Sequence, residues 1–335
     1  MKNILIKRLE NFGEAFTSET AQATHNRRRI KKAGRGIFSV FRGLFLFSLC
    51  LVLLYPLFIM ISVAFRVPEE IFDQTVVWIP KNFTVSAFTT AWNKLDFTAL
   101  FLQTALISIT GTALQLIACI LAGYGFARFK FPFKRLFFGI LILTIIVPPQ
   151  VISIPSMLYF QRFDFFGIGQ LVGLFTGEAF TVPLYGSLMS YFLPAITGAG
   201  IKSGLFIFIF NQFFRGQPYE LQDAAYIDGC GRFRTFWQIM LPLSGGAILT
   251  VLLFSLVWYW NDSFYSIVYF DKLRTVSRVL SNISMELSVS GTNRELAQIP
   301  QMQAAALMSI MPLIVMYSAL QKYFTESIER TGIVG

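Results

Sequence analysis

The sequence predicts an all-α, polytopic membrane protein with six spanning helices and both ends in the cytoplasm. Three observations lead there. Of 335 residues, 55% are hydrophobic and 14% charged, against about 25% charged in a soluble domain, and the mean hydropathy is +0.60. Five long stretches carry no charge at all. The Lys and Arg residues, which give a net charge of +10, crowd into the segments between every second stretch.

A spanning helix needs about 20 apolar residues. Gly43 to Phe65, Phe97 to Ala127, Leu136 to Gln161, Phe236 to Asn261 and Leu296 to Gln321 meet that length without a charge. A further span must come from residues 165 to 214, which hold Glu178, Lys202, Pro183, Pro194 and a glycine-rich LPAITGAGIKSG. Two readings stand. In the preferred one, a helix from about Gly200 to Gln217 puts Lys202 at its outer end, where a long side chain snorkels to water. A short outer helix or re-entrant piece, about Pro183 to Ile196, then precedes it. In the other, one long broken helix starts near Pro183 and buries Lys202 at a cost of about 2.5 to 3.5 kcal/mol.

With six spans, the inner segments hold 19 of the 28 basic residues and the outer segments 8, which orients both termini inward. Residues 1–37 form a cytoplasmic N-terminal segment, in which Ile4, Leu5, Leu9, Phe12 and Phe16 describe either an interfacial helix or a basic tail. No cleavage-site pattern marks this segment as a removable signal. In so apolar a chain the positive charge orients the protein in lipid and does not point to nucleic acid.

Several chemistries are missing. Cys50, Cys119 and Cys230 have neither metal nor redox spacing, and His25 is the only histidine, so His-dependent catalysis and His-ligated metals are disfavoured. There is no G-x-x-x-x-G-K-[ST] phosphate loop and no Ser/His/Asp or Cys/His constellation. The expectation is a chain with no catalytic residues and no metal or bound cofactor.

One polar interruption stands out, in the loop 215–242 between the fourth and fifth spans. Pro218 suits the first turn of a helix, Glu220 and Asp223 favour its N-terminus, and Gly229 suits a left-handed cap. A helix from about Pro218 to Asp228 follows. Ala224 and Ala225 offer a small-residue patch, and Leu221, Ala225 and Asp228 share one face. A second helix starts near Arg232 and enters the fifth span near Pro242. Spacing alone also fits an amphipathic connector on lipid headgroups.

The residues themselves resemble a family. Asp223-Ala224-Ala225, then Gly229, then nine residues to Ile239, then Leu241-Pro242 resembles the EAA loop of ABC importer permeases. The fuller AAYIDGCGRFRTFWQIMLPL is similar to sugar importer permeases, in particular the smaller membrane subunit of maltose-type transporters. Trp260-Asn261-Asp262, Tyr55-Pro56, Val147-Pro148-Pro149 and the terminal ESIERTGIVG also fit, so the likeness runs from about Phe38 to Gly335. The resemblance implies the type I permease fold in a cell membrane, a transmembrane domain over 38–325 and a cytoplasmic tail over 326–335. It implies that Asp223, Ala224, Ala225, Asp228, Gly229, Ile239, Leu241 and Pro242 form a coupling element gripped by an ATPase. The implied partners are a second homologous permease, two ATP-binding subunits that carry the ATP and Mg, and an extracytoplasmic solute-binding protein, all within membrane lipid. Two departures stand out: Asp223 replaces the usual Glu, and the glycine-rich segment before Lys202 is longer than in the maltose-type pattern.

For the solute path, Trp258, Trp260, Asn261 and Asp262 are the candidates, since aromatic faces beside a few polar groups suit a hydroxyl-rich ligand. The two tryptophans also fit an interfacial aromatic belt. A permease for another small solute and an ion-coupled secondary transporter are the alternatives. The latter predicts paired intramembrane carboxylates, which the isolated Asp262 and Lys202 do not form.

Overall fold

The computed structural model describes residues 35–36, 38–270, 272–287 and 295–332. The rest of the predicted N-terminal segment 1–37 and residues 333–335 of the predicted tail lie outside it. Among the described residues the structure is helical, and two isolated antiparallel bridges, Arg66–Phe83 and Phe163–Val182, make up the β structure.

The chain divides into two units, residues 1–62 and 63–335. The first is seen as α1 (Phe38–Ala64), whose last residues cross into the second unit. Its 27 residues make an apolar helix of about 40 Å, long enough to cross a bilayer. Most of its side chains are exposed, Val52 and Leu53 among them.

The second unit is built on α3 (Phe97–Arg128), which follows α2 (Ser86–Leu95). Next come α4 (Lys134–Ile146) and α5 (Pro149–Gln161), bent by 105° at their junction. Pro149 cannot donate a backbone bond and Pro148 drives Val147 out of the helical region; Val147 has ψ 124°. The third predicted span is therefore broken, each half too short to cross alone. After α6 (Ile168–Thr176) and α7 (Met189–Ile196) the chain turns into α8 (Ser203–Gly216). Lys202 occupies the break, at φ 58°. This matches the first of the two readings of residues 165 to 214, with a short preceding helix. At 14 residues, α8 is about 21 Å long, shorter than the hydrocarbon core of about 30 Å.

The loop helix α9 (Glu220–Ile227) leads to α10 (Arg232–Leu243) and α11 (Gly245–Trp260), the last two bent by 73° at Ser244. Inside α10, residues Phe236–Met240 widen to a π-helix. Pro242 supplies the cause: it has no N–H for the Gln238 carbonyl and its ring crowds that oxygen. The predicted fifth span is thus an elbow, not a straight rod. Then follow α12 (Phe264–Tyr269), α13 (Val276–Ser281), α14 (Ile283–Leu287) and α15 (Glu295–Gly332), of which Gln298–Tyr323 can span a bilayer. Among the described residues, α1, α3 and α15 can cross a membrane by length and composition, and up to five crossings result if each bent pair is one span.

Helices α3 and α8 run side by side in the same direction. Gln115 meets Ser203, Gly123 meets Phe210, and Arg128 meets Gln217. A Cβ at Gly123 would collide with that of Phe210, so glycine permits the close approach. Around the contact Cys119, Tyr124, Phe206, Phe214, Met240 and Val251 form a buried core. In lipid such burial gains little from the hydrophobic effect, because acyl chains are as apolar as leucine; tight packing and interhelical hydrogen bonds hold the spans instead. Helix α11 runs antiparallel to α3, with Ser255 on Gln115 and Tyr259 against Gly111.

At the Asp96 end of α3, helices α2, α13, α14 and α15 pack Ala91, Leu95, Val276, Val279 and Ala305 into a second core. The Arg278 guanidinium draws its loop together by donating to the carbonyls of Phe270 at 2.9 Å and Leu273 at 2.8 Å.

Candidate functional site

The loop helix α9 owes its end to Gly229. With φ +78° this residue takes the left-handed conformation that a side chain disfavours. The Gly229 amide donates to the Tyr226 carbonyl at 3.1 Å and the Cys230 amide to Ala225 at 2.9 Å. That pair of bonds is the Schellman cap, as the sequence led one to expect. The start differs from expectation. Pro218 lies one residue before the N-cap Tyr219, whose carbonyl takes the first bonds from Gln222 at 2.9 Å and Asp223 at 3.1 Å.

Two contacts fasten α9 to the Arg128 end of α3. The Gln222 amide donates to the Tyr124 hydroxyl at 2.8 Å. Arg128 donates to the Gln217 carbonyl at 2.7 Å, and its guanidinium lies 4.3 Å from the centre of the Tyr219 ring. The inward face of α9 is therefore Gln222 and Ala225. Ala225 is only 3% exposed, which corrects the expectation of a two-alanine patch: Ala224 is exposed and Ala225 is spent within the chain. Asp223, Asp228 and Gly229 are exposed, and Ile227 is 86% exposed. Ile239 and Leu241 are half-buried and pack against the core beneath, while Pro242 is exposed. Phe233 and Trp237 stack on each other at 6.4 Å, both exposed.

The second candidate cluster divides. Trp260 faces inward: its Nε1–H donates to the Ser309 carbonyl at 3.1 Å, and its ring meets Phe101 edge-on at 5.5 Å. It is 6% exposed and is not among the residues lining the cavity beside Trp258. Asp262 is structural. Its carboxylate accepts from the Tyr191 hydroxyl at 2.7 Å, the Tyr265 amide at 3.1 Å and the Ser266 amide at 2.9 Å. Burial pushes its carboxyl up from the usual range, against the pull of those donors. Asp262→Asn, which keeps an acceptor but loses the charge, should lower stability by about 1 kcal/mol, in line with the loss of charge from such bonds. Thermal unfolding in detergent checks this. Asn261 is exposed, and its backbone carbonyl accepts from Ser277 at 2.7 Å.

Trp258 alone of the four lines a cavity, of about 510 Å³, within the range of small-molecule sites. Its walls come from α4, α5, the α7–α8 break, α11 and α12. Ser156, Ser190, Tyr191, Tyr259, Tyr265 and Tyr269 face it, beside Phe160 and Phe163. The ammonium of Lys202 lies 5.1 Å from the centre of a Trp258 ring.

A buried amide fixes the break that forms one wall. Gln115 donates to the Ile201 carbonyl at 2.5 Å and to Ser203 Oγ at 2.7 Å, and accepts from Ser255 at 2.9 Å. Sequence reasoning passed over Gln115, Tyr124 and Gln222. A carboxamide inside an apolar run was the available signal, since lipid offers it no partner.

Comparison with known proteins places the chain. The family model described as binding-protein-dependent transport system inner membrane component matches residues 115–330. The sn-glycerol-3-phosphate transport system permease protein UgpE of Yersinia pestis is 25% identical over 284 residues, covering 83% of this chain and 91% of that protein. Protein LplC of Bacillus subtilis is 26% identical over 303 residues, covering 88% and 94%. Among solved structures, a chain of a bacterial ABC transporter involved in the import of the acidic polysaccharide alginate shares the fold. Its TM-score is 0.68 at 21% identity, over 86% of this chain and 96% of that one.

Proposed function

Because this chain belongs to the binding-protein-dependent transport system inner membrane components, we propose that it is one of two permease subunits of an ATP-driven sugar importer. In this reading it crosses the membrane six times, with α4–α5 and α10–α11 each serving as one broken crossing and α8 as the fourth span, preceded by the short outer helix α7. Both termini and α9 face the cytoplasm, as the bias of Lys and Arg requires. The partners are a second permease, two ATPase subunits that hold ATP and Mg²⁺, and an extracytoplasmic solute-binding protein. The chain itself carries no catalytic step.

The observation that carries the proposal is the mounting of α9. It is capped by Gly229, bound to α3 through Gln222 and Arg128, and turns Asp223, Ala224 and Ile227 outward. A helix fastened on one side and bare on the other can take a load from a docked subunit, whereas a solvated loop cannot. Turning a 1:99 equilibrium into 99:1 needs about 5.5 kcal/mol of differential binding. An exposed ion pair, worth about 0 to 1 kcal/mol, is too weak for that, so the apolar Ile227 contributes beside Asp223. ATP-driven closure of the two ATPases then moves α9, and the spans alternate between outward and inward access.

The test uses single accessible cysteines in a background lacking Cys50 and Cys230, with Cys119 left buried in the core. Ala224→Cys should cross-link to a co-purifying ATPase with a short bifunctional reagent. Ala225→Cys, turned into the chain, should not. Failure of any ATPase to accompany the tagged protein would end the importer reading.

A further inference from the structure

We propose that the cavity beside Trp258 holds the anionic group of an acidic, hydroxylated solute, a sugar acid or sugar phosphate, with Lys202 as its counter-charge. This deepens the permease reading and rests on it.

The charge of the lining is one-sided. Among the described residues that face the cavity, Lys202 is the one charged side chain and no carboxylate is present. The two nearby aspartates are engaged from behind: Asp164 accepts from Tyr159 at 2.8 Å and Asp262 from Tyr191 at 2.7 Å. Among the described residues the Lys202 ammonium makes no ion pair, and it lies over the face of Trp258. It also stands at the N-cap of α8, 14 residues long, where the helix dipole adds positive potential. Lys202 is itself exposed, and an anion beside it meets two sources of attraction, the ammonium and the helix end.

The hydroxyls of the lining suit the rest of such a ligand. Tyr191 gives its proton to Asp262, which leaves Ser156, Ser190, Tyr265 and Tyr269 as the other hydroxyl-bearing residues of the lining. Tyr259 is 3% exposed, and its hydroxyl makes no hydrogen bond of ordinary geometry, although the Ile201 backbone is close by. Its oxygen is fully covered, so Tyr259 offers the cavity its ring and not its hydroxyl. The glycine-rich segment makes this placement possible: a Cβ at Gly200 would sit 2.8 Å from the Tyr259 oxygen. Trp258, Tyr265 and Phe160 supply ring faces for the C–H surface of a sugar. The segment that the sequence singled out as longer than its family pattern is thus the one that carries the lysine and shapes the wall.

The tagged chain, with the subunits that accompany it, is placed in phosphatidylcholine nanodiscs and titrated calorimetrically. The probes are digalacturonate and glucose 6-phosphate, each beside its neutral counterpart, galactobiose or glucose. At least one acidic probe should bind roughly tenfold or more tightly than its counterpart. Lys202→Met should abolish that preference at an unchanged unfolding temperature, and Lys202→Arg should keep it. Equal affinity for acid and neutral sugar, no binding of any probe, or an undiminished preference in Lys202→Met would overturn the proposal. So would phosphatidylglycerol that co-purifies through Lys202 while no soluble probe binds, since the occupant would then be a lipid headgroup. An ATPase that co-purifies in the same sample preserves the permease reading whatever the titration shows; its absence removes that reading on separate grounds.

Discussion

Gly229→Val should leave the protein in the membrane yet cut binding-protein-dependent uptake roughly tenfold or more. The residue holds φ +78°, and a side chain in that conformation costs about 1 to 2 kcal/mol, slightly more than a tenfold population change at its midpoint. A β-branched residue is penalised most. Without the turn, the Gly229 and Cys230 amides lose their bonds to Tyr226 and Ala225, and α9 frays at the end that holds Ile227. Gly229→Asn should retain most transport, because asparagine accepts the left-handed conformation. Uptake into proteoliposomes, alongside stimulation of ATP hydrolysis, separates the two variants. If valine transports as well as asparagine, the shape of the cap has no part in coupling.

Gln115→Leu should destabilise the protein by about 2 to 6 kcal/mol. Leucine fills a similar volume but leaves the Ile201 carbonyl and the Ser203 hydroxyl without this partner, while Ser255 keeps Thr112, and each buried orphan costs about 1 to 3 kcal/mol. Gln115→Glu gives a contrast, since it keeps an acceptor for Ser255 but removes the donor to Ile201. Thermal unfolding in detergent should rank the three as wild type, then glutamate or leucine well below. A leucine variant as stable as wild type would mean that the amide is not the clasp of the break.

Helix class and most span positions were legible because charge-free runs of sufficient length leave few other structures in lipid. The bends were less so. Val147-Pro148-Pro149 was visible as a motif, yet its 105° turn depends on how far two short helices diverge, which no local residue states. Pro242 marked the entry to the fifth span, but not the π-helical widening before it. In the loop, Gly229 announced its own conformation, whereas Ala224 and Ala225 read alike. Their opposite fates follow from α3, 98 residues away along the Tyr124–Gln222 bond. The same limit explains Trp260 and Asp262. Their polar atoms attracted attention as costly, and each is satisfied by a distant partner, Ser309 or Tyr191, that periodicity cannot supply. Lys202 was seen as a charge at a helix end, without the wall of tyrosines that gives it a possible task.

One detail of α3 has a mechanical result. Gln115, which clasps the break beside the cavity, and Tyr124, which receives Gln222 of α9, lie nine positions apart on one unbroken helix, about 14 Å along its axis. The two work stations are therefore bolted to a single beam. In the proposed importer, a thrust delivered at its foot would reach the chamber as whole-body tilt, without a relay of switching side chains, while the Ser244 elbow beside it would supply the joint at which neighbouring segments yield.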